Sequence, residues 1–474
     1  MSVRREKSFD RLAKAMREAS SKRGGTAGNN DARLRALTEA YLQVGNEPER
    51  RELLRRYRAG DPLKGEDGIR RALAAMDLAY FGRAYLPHYF SRPSPQFHAE
   101  LDTLWRDGVL KGIVPIGDNA KLVDAQDGCR RATAAPRGHA KSTNLTFKGS
   151  LHAALYRYKR YIIILSDTSD QANGFLSAIK DELEDNGAIR EDFGDLTGGV
   201  WRENVIITSQ GVRIDAIGAG QKIRGRKHKN WRPDLMVLDD IENDENVRTV
   251  EQRKKLENWF YKAVSKAGDT YTDIVYIGTL LHYDSLLAKV LKNPAYRSVK
   301  YKAVQSFSTS PLWETWESIY TDLGNEGREL EAKKFFEKNR EEMLAGTKVL
   351  WEEKLSYYDL MVTRVSEGEA SFNSELQNEP VNPDDCLFNE EWFDYYNPED
   401  MDFSSADFRF YGFVDPSLGK NRRADYSAIL TGALEVPTGY LYILDADIVR
   451  RHPDAIISDV LQKADWIQRT YGKR

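Results

Sequence analysis

Apolar positions follow two rhythms along the chain. Short continuous runs, Tyr161-Ile-Ile-Ile-Leu165, Leu235-Met-Val-Leu238 and Thr272-Asp-Ile-Val-Tyr-Ile-Gly-Thr279, read as strands buried on both faces of a sheet. Between them the apolar residues recur at helical spacing. Leu256, Trp259, Phe260, Ala263 and Val264 share one face of a helix predicted over Glu251 to Ala267, and a second is predicted from Gln171 to about Leu183. Val205–Ser209 and Val212–Ile217 flank Gln210-Gly211, which predicts a β-hairpin. The N-terminal rhythm is helical and charged. Arg4 to Lys22 places Phe9, Leu12, Ala13 and Met16 on one face; Arg23–Asn30 is a break, and Ala32 to Tyr57 is a second, arginine-rich helix. Residues 1–70 therefore read as a helical arm, either solvated or docking a protein or DNA. Globular sequence begins near Arg70. Ser94-Pro-Gln-Phe-His-Ala-Glu-Leu101 opens a helix with Pro95 in its first turn. Near the C-terminus, Phe410–Asp415, Asp425–Leu430 and Tyr440–Asp445 predict three further strands.

A length of 474 residues with 41% hydrophobic content predicts several domains with sizeable cores. Charged residues reach 30% but the net charge is −3, so a polyanionic partner is a matter for local patches. Cys129 and Cys386 have no metal-ligand spacing and exclude a disulfide scaffold. No apolar run approaches the ~20 residues of a membrane span, and no signal peptide opens the chain. The expectation is a soluble intracellular protein with no membrane partner.

The first chemical signal is Ala134-Ala-Pro-Arg-Gly-His-Ala-Lys-Ser-Thr143. A small-residue strand, Arg131–Ala134, enters it and a helix-capable run, Asn144 to Tyr156, leaves it. Strand, loop and helix with Lys-Ser-Thr at the junction form a phosphate-gripping loop. The loop Pro136-Arg-Gly-His-Ala140 would wrap the anion, with backbone N–H groups from Arg137 to Thr143 facing it. Lys141 would reach the β- and γ-phosphates of ATP, and Ser142 or Thr143 would place a hydroxyl on Mg2+. Ala135 and Ala140 stand where this motif has glycine, so Gly138 is expected to supply the backbone freedom. Upstream, Gln96 offers an amide for an adenine edge.

The second signal is Asp234-Leu-Met-Val-Leu-Asp-Asp-Ile-Glu242. A buried strand ending in acids presents them at the edge where α/β sheets bind ligands. Asp239 would hold Mg2+, and Asp240 or Glu242 would orient or deprotonate water. Strict alternation would put Asp240 opposite Asp239, and only a turn right after Asp239 would change that. Thr279 and His282 follow the next strand, at a position able to sense a γ-phosphate. The basic run Lys222–Arg232 carries Arg224, Arg226, Lys227 and Lys229 with an interleaved Trp231, a composition suited to phosphate contact.

Ser94-Pro-Gln-Phe-His98, Ala135-Pro-Arg-Gly-His-Ala-Lys-Ser142, Val237-Leu-Asp-Asp-Ile-Glu242 and Ile277-Gly-Thr-Leu-Leu-His282 occur in order, and Phe372-Asn-Ser-Glu-Leu-Gln-Asn-Glu-Pro380 follows. Together they resemble the large terminase subunit of tailed bacteriophages, over roughly residues 70 to 474. The resemblance implies an α/β fold: a P-loop, additional-strand (RecA-like) ATPase at 71–380 with a lid-like segment near 300–380, a linker at 381–400, and the N-terminal part of an RNase H-like nuclease at 401–474. It implies that Arg137 contacts the γ-phosphate and that Ile277, Gly278 and Thr279 couple hydrolysis to motion. Arg224 or Arg226 would serve a neighbouring subunit or DNA, with Lys227 and Lys229 as DNA contacts. Asp415 and, second, Asp425 would hold Mg2+ or Mn2+ in the nuclease, whose later acids are absent from this sequence; cleavage by this chain is not expected. The implied partners are double-stranded DNA, a portal protein, a small terminase subunit and further copies in a ring, in the host cytoplasm and at the procapsid. The alternatives are a helicase or repair ATPase with the same core, and an inactive prophage remnant.

Overall fold

A computed structural model describes residues 27–45, 47–111, 127–380, 394–416, 426–449 and 453–472. The helix expected over Arg4–Lys22, the link at Asn382–Asp385 and Asp425 lie outside the described residues. The chain divides into two compact units, Met1–Asp385 and Cys386–Arg474.

The first unit is built on an eight-stranded sheet: β1 (Arg130–Ala134), β2 (Tyr161–Ser166), β3 (Val200–Trp201), β4 (Val205–Ile207), β5 (Arg213–Gly218), β6 (Leu235–Asp239), β7 (Asp273–Gly278) and β8 (Arg297–Lys300). Its order is β3-β4-β5-β2-β6-β7-β1-β8. All pairings are parallel except β3 with β4 and β4 with β5, the predicted hairpin. Strand β7 lies between β1, which feeds the phosphate loop, and β6, which ends in the acids. That is the additional-strand arrangement.

The continuous apolar runs follow from cover on both faces. Ile162, Ile164, Leu235, Val237, Val275 and Ile277 pack into one core, and Ile163, Leu165, Met236, Leu238, Ile274 and Tyr276 into the core on the other side. Residue i and residue i+1 of a strand point to opposite faces, so both must be apolar. The first of these cores also takes in Leu34, Tyr41, Leu42 and Leu53. The described N-terminal helices, Ala27–Val44 and Pro48–Ala59, are thus part of the folded unit, not a solvated arm. They are two helices, not one, because Pro48 opens the second at its first turn.

Other expectations shift by a few residues. Pro95 is the N-cap of the helix Gln96–Gly108, one position before the first turn. The helix over Glu251–Ala267 runs Val250–Lys262 and tightens to a 3-10 turn at Val264–Lys266. The helix after the phosphate loop opens with a π turn, Thr143–Gly149, before the α-helical Ser150–Leu155. Residues 303–376 form a third core around Trp316, Phe336, Tyr357 and Phe372, with a small hairpin of β9 (Val304–Ser306) and β10 (Lys348–Val349).

The second unit is an antiparallel sheet, β11 (Phe408–Asp415), β12 (Ser427–Glu435) and β13 (Leu441–Val449), followed by the helix Pro453–Tyr471. Its core gathers Phe403, Phe408 and Ala433.

Candidate nucleotide site

The phosphate loop leaves β1 and turns through two left-handed residues. Gly138 has φ +75 and Ala140 has φ +58. Glycine alone does not supply the freedom: the second glycine of the motif is replaced, but its left-handed backbone is kept. A Cβ there costs roughly 1–2 kcal/mol. The loop is braced in compensation, since four successive carbonyls each accept a side-chain hydrogen bond. His139 Nδ1–H donates to Arg137 O at 3.0 Å, Lys354 Nζ to Gly138 O, His98 Nε2–H to His139 O at 3.0 Å, and Asn144 Nδ2–H to Ala140 O at 3.0 Å. With the carbonyls held outward, the N–H groups of Gly138 and Ala140 have no acceptor among the described residues. That leaves donors free for an anion at a helix start.

Both histidines act as neutral donors. Burial pushes His98 down to about 3 and His139 down to about 4. Because each partner is a carbonyl, the proton sits on His98 Nε2 and His139 Nδ1. Asn144 is held in turn by Lys148, whose Nζ donates to Asn144 Oδ1 at 2.9 Å and to Asp102 Oδ1 at 2.6 Å. The π turn carries these residues; an extra residue per turn is common where a helix is re-aimed at a site.

Six side chains meet at the strand tips. Lys141 is buried, and its Nζ donates to Thr279 Oγ1 at 3.0 Å and contacts Asp240 Oδ2 at 3.1 Å. Ser142 Oγ donates to Asp239 Oδ1 at 2.9 Å, and Thr146 Oγ1 donates to Asp239 Oδ2. Asp240 has φ +45, and its N–H donates to Ile277 O at 2.9 Å. The chain therefore turns right after Asp239, which brings Asp240 to Lys141 and overrides strand alternation. Gly278, at the end of β7, makes room for Leu287: a Cβ there would lie 2.9 Å from Leu287 Cδ2, and at an ordinary contact of 3.5 Å from Asp240 Oδ1.

Complete burial, and after it the Asp240 carboxylate, push Asp239 up to about 7, against the hydroxyls and Lys141 that favour its charged form. A buried acid beside a second acid, with a serine hydroxyl on one oxygen, is a donor set that a hard divalent cation suits. Among the residues here, Ser142 and Asp239 fit Mg2+.

Several expected residues lie elsewhere. Glu242 is buried with both oxygens engaged: Oε1 accepts Leu286 N–H at 2.6 Å, and Oε2 accepts Leu287 N–H at 2.8 Å and Tyr276 O–H at 2.9 Å. It caps the helix Leu286–Lys292, and burial raises its pKa. Gln96 is exposed and bonds Glu100 at 3.3 Å. The cavity beside the loop, about 290 Å³, is lined by Tyr89, Phe90, Arg92, Asn144, Trp351 and Lys354, and Gln96 is not in its wall. His282 Nδ1 accepts Asp284 N–H at 3.0 Å. Pro136 accepts His139 N–H at 3.3 Å, and Thr143 borders the cavity.

Arg137 is gripped from far along the chain. Its N–H donates to Glu375 O at 3.0 Å, while Nε and Nη2 meet the two Glu375 oxygens at 2.5 and 3.0 Å. Asn378 accepts Leu280 N–H at 2.8 Å and donates to Tyr301 O at 2.8 Å. Thus residues 354–378 hold both the loop and the end of β7. His98, Lys354, Glu375 and Asn378 have no local pattern that gives their roles. Thr146 had one: it lies one helical turn after Ser142, on the same face.

Two arginines of the basic run are tied down. Arg226 pairs with buried Asp215 at 2.8 Å, and Arg224 donates to Lys262 O. Lys227 and Lys229 are exposed. In the second unit, Asp415 ends β11 exposed, opposite Ala428, and Asp445 pairs with Lys463 at 2.5 Å. Among the described residues no group of three His, Cys, Asp or Glu side chains is arranged to hold a metal. No described helix is long and apolar enough to cross a membrane.

No family model and no curated protein matches the chain. Solved structures to which it is similar include the large terminase of bacteriophage HK97, at 15% identity over 67% of this chain and 59% of that one, with a TM-score of 0.30. Another is an ATPase-domain mutant of the large terminase of Thermus phage P74-26, at 13% identity over 53% of this chain and 89% of that one, with a TM-score of 0.31. The chain spans 59% of the length of the first. Likenesses of this size assign neither fold nor activity, and the reading below rests on the residues of this chain.

Proposed function

We propose that this chain is an ATPase that drives double-stranded DNA into a phage procapsid, a packaging motor of the large-terminase kind. The observation that carries the ATPase reading is the meeting of Lys141, Ser142, Asp239, Asp240 and Thr279 at the tips of β1, β6 and β7. The packaging role comes from the sequence resemblance.

In this reading the N–H groups of the braced loop receive the β- and γ-phosphates, and Lys141 exchanges its bonds to Thr279 and Asp240 for phosphate oxygens. Ser142 and Asp239 would hold Mg2+, which when bound neutralises charge on those oxygens. Asp240, freed from Lys141 and still partly exposed, orients and deprotonates the attacking water. Glu242 keeps its cap. Arg137 releases Glu375 to meet the γ-phosphate. Adenine enters the aromatic-walled cavity, between Trp351 and Tyr89, rather than meeting Gln96. Gly278 and Thr279 pass the change at the phosphate to Asn378 and residues 303–376. Residues 71–380 are assigned to the motor with 300–380 as its lid, and 401–474 to the opening of an RNase H-like nuclease that Asp415 would serve. The partners in this reading are duplex DNA, the portal, a small terminase subunit and sister copies.

The test is Mg2+-dependent ATP hydrolysis with and without long duplex DNA, in the native chain and in Lys141→Ala. The reading expects activity that duplex stimulates and the variant abolishes. Stimulation by single strands alone would replace packaging with helicase action. Neither binding nor hydrolysis of ATP would leave an inactive remnant.

A further inference from the structure

Among the described residues, five other than glycine take a left-handed backbone: Ala140, Arg157, Lys229, Asp240 and Asn378. Three belong to the site above. The other two, Arg157 and Lys229, line a single cleft of about 740 Å³ at the opposite edge of the same sheet, before the first residues of β2, β5 and β6. From this we infer that the cleft's strand-side wall is a second anion site, made to hold the phosphate backbone of a nucleic acid.

Both positions ordinarily take glycine. Arg157 closes the helix Ser150–Leu155: its N–H donates to Ala154 O at 3.1 Å and Tyr158 N–H to Ala153 O at 2.9 Å, the closure in which the left-handed residue is usually Gly. Lys229 is the first residue of a two-residue turn between His228 and Trp231, which exchange backbone bonds at 3.0 and 2.9 Å. Glycine is preferred there for the same reason. In both places a long cationic side chain occupies a backbone position that disfavours any side chain, and residues kept in such conformations cluster at functional sites. Neither cation has a carboxylate partner among the described residues. Arg160 lines the same cleft; its backbone N–H donates to Asp234 Oδ2 at 2.7 Å, while its guanidinium lies 4.0 Å from the centroid of the Trp231 ring with no carboxylate partner among the described residues. Three unpaired cations on one wall, one stacked on an indole, provide charge for phosphates and an aromatic flank for a sugar or base.

The facing wall carries Glu49, Glu52, Glu66 and Asp67 beside Arg56 and Arg71; Glu52 is bonded to Arg55, Glu66 to Arg71 and Arg56 to Asp61. Its free carboxylates confine a polyanion to the strand side. The expected Arg224 and Arg226 contacts are replaced: those side chains bind Lys262 O and Asp215. Only the choice of DNA as the polyanion rests on the function proposed above.

The experiment measures binding of a fluorescein-labelled 30-base-pair duplex across a salt series, without nucleotide. It compares the full chain, Arg157→Gly/Lys229→Gly, and Lys141→Ala. Glycine removes the charge and relieves the backbone, so the double variant is expected to melt at the same or a higher temperature. It should bind duplex about tenfold more weakly, with a salt slope shallower by about two counterions. Lys141→Ala should bind like the native chain. Equal affinity and slope in the double variant would overturn the inference, as would a drop in melting temperature, which would make the two cations props of the fold. Duplex binding without ATP hydrolysis would sink the motor reading and leave this site standing. Displacement of the native chain's duplex by inorganic pyrophosphate at equal phosphate concentration would reduce the site to one for free phosphate and overturn the DNA assignment.

Discussion

The two larger sheets described, one in each unit, use similar residues to different ends. In the first unit β2, β6 and β7 are buried at every position. In the second, β11 exposes Tyr411, Phe413 and Val414, and β13 exposes Leu441, Ile443, Ile448 and Val449. Apolar side chains covered by helices on both faces fix a strand so firmly that its end can be aimed. Asp239 and Asp240 are aimed in this way and meet Ser142, Thr146 and Lys141. Asp415 also ends an apolar strand, but it is exposed and meets no comparable cluster among the described residues. An acid at a strand end becomes a site only where neighbouring elements bring it partners.

The comparison breaks if the two strand ends prove equivalent in activity. Lys141→Ala is expected to lower ATP turnover at least about a thousandfold, roughly 4 kcal/mol of barrier, while Asp415→Asn leaves it within about twofold. Steady-state phosphate release checks both. A large loss in Asp415→Asn would mean that the second unit serves the ATPase.

The next effect is on stability. Ile163→Ala is expected to cost about 2–5 kcal/mol in urea unfolding, and Phe413→Ala within about 0.5 kcal/mol, because only the first empties a packed core. Equal costs would show that β11 is covered as β2 is.

A smaller effect sharpens the account of the loop. Ala140→Gly should stabilise the chain by roughly 1 kcal/mol by relieving the left-handed Cβ. Asn144→Ala should weaken nucleotide binding severalfold in the native background but less in the Ala140→Gly background, because a glycine loop needs less bracing. Additive losses in a double-mutant cycle would count against the brace.

The narrowest effect, confined to acid pH, is a proton count. His152 is fully buried, bonds Ala74 O at 2.9 Å, and is pushed by burial down to about 3. Its folded pKa is below its unfolded value, so its contribution to stability is full above about pH 6.5 and is lost as pH falls toward the folded pKa. His152→Leu should reduce the acid dependence between about pH 4 and 6 by nearly one proton, about 1.4 kcal/mol per pH unit. An unchanged slope would mean that the ring is protonated in the folded chain.

Much of the first sheet was legible because burial on both faces writes itself as unbroken apolar runs. The loop and the acidic strand were legible because each is a local motif. The placement of Asp240 was not: alternation predicts the wrong face, and only the left-handed turn corrects it. Glu242 was misread because an acid two residues past a strand looks alike whether it faces a ligand or caps the helix at Leu286. Arg137 was visible, but its partner Glu375 was not, since residues 238 apart leave no spacing signal. The N-terminal helices read as an arm, solvated or docking a partner, because their many arginines outweigh a few buried residues, Leu34, Tyr41, Leu42 and Leu53, that tie them to the core.

The central claim is that the loop around Lys141 is an ATP phosphate site. Calorimetric titration of the full chain with a slowly hydrolysed ATP analogue and Mg2+ tests it most directly, with Lys141→Ala and Asp239→Asn alongside. The account predicts saturable binding to the native chain, loss of binding in Lys141→Ala, and loss of the Mg2+ dependence in Asp239→Asn. Binding of equal strength in the native chain and Lys141→Ala would contradict it.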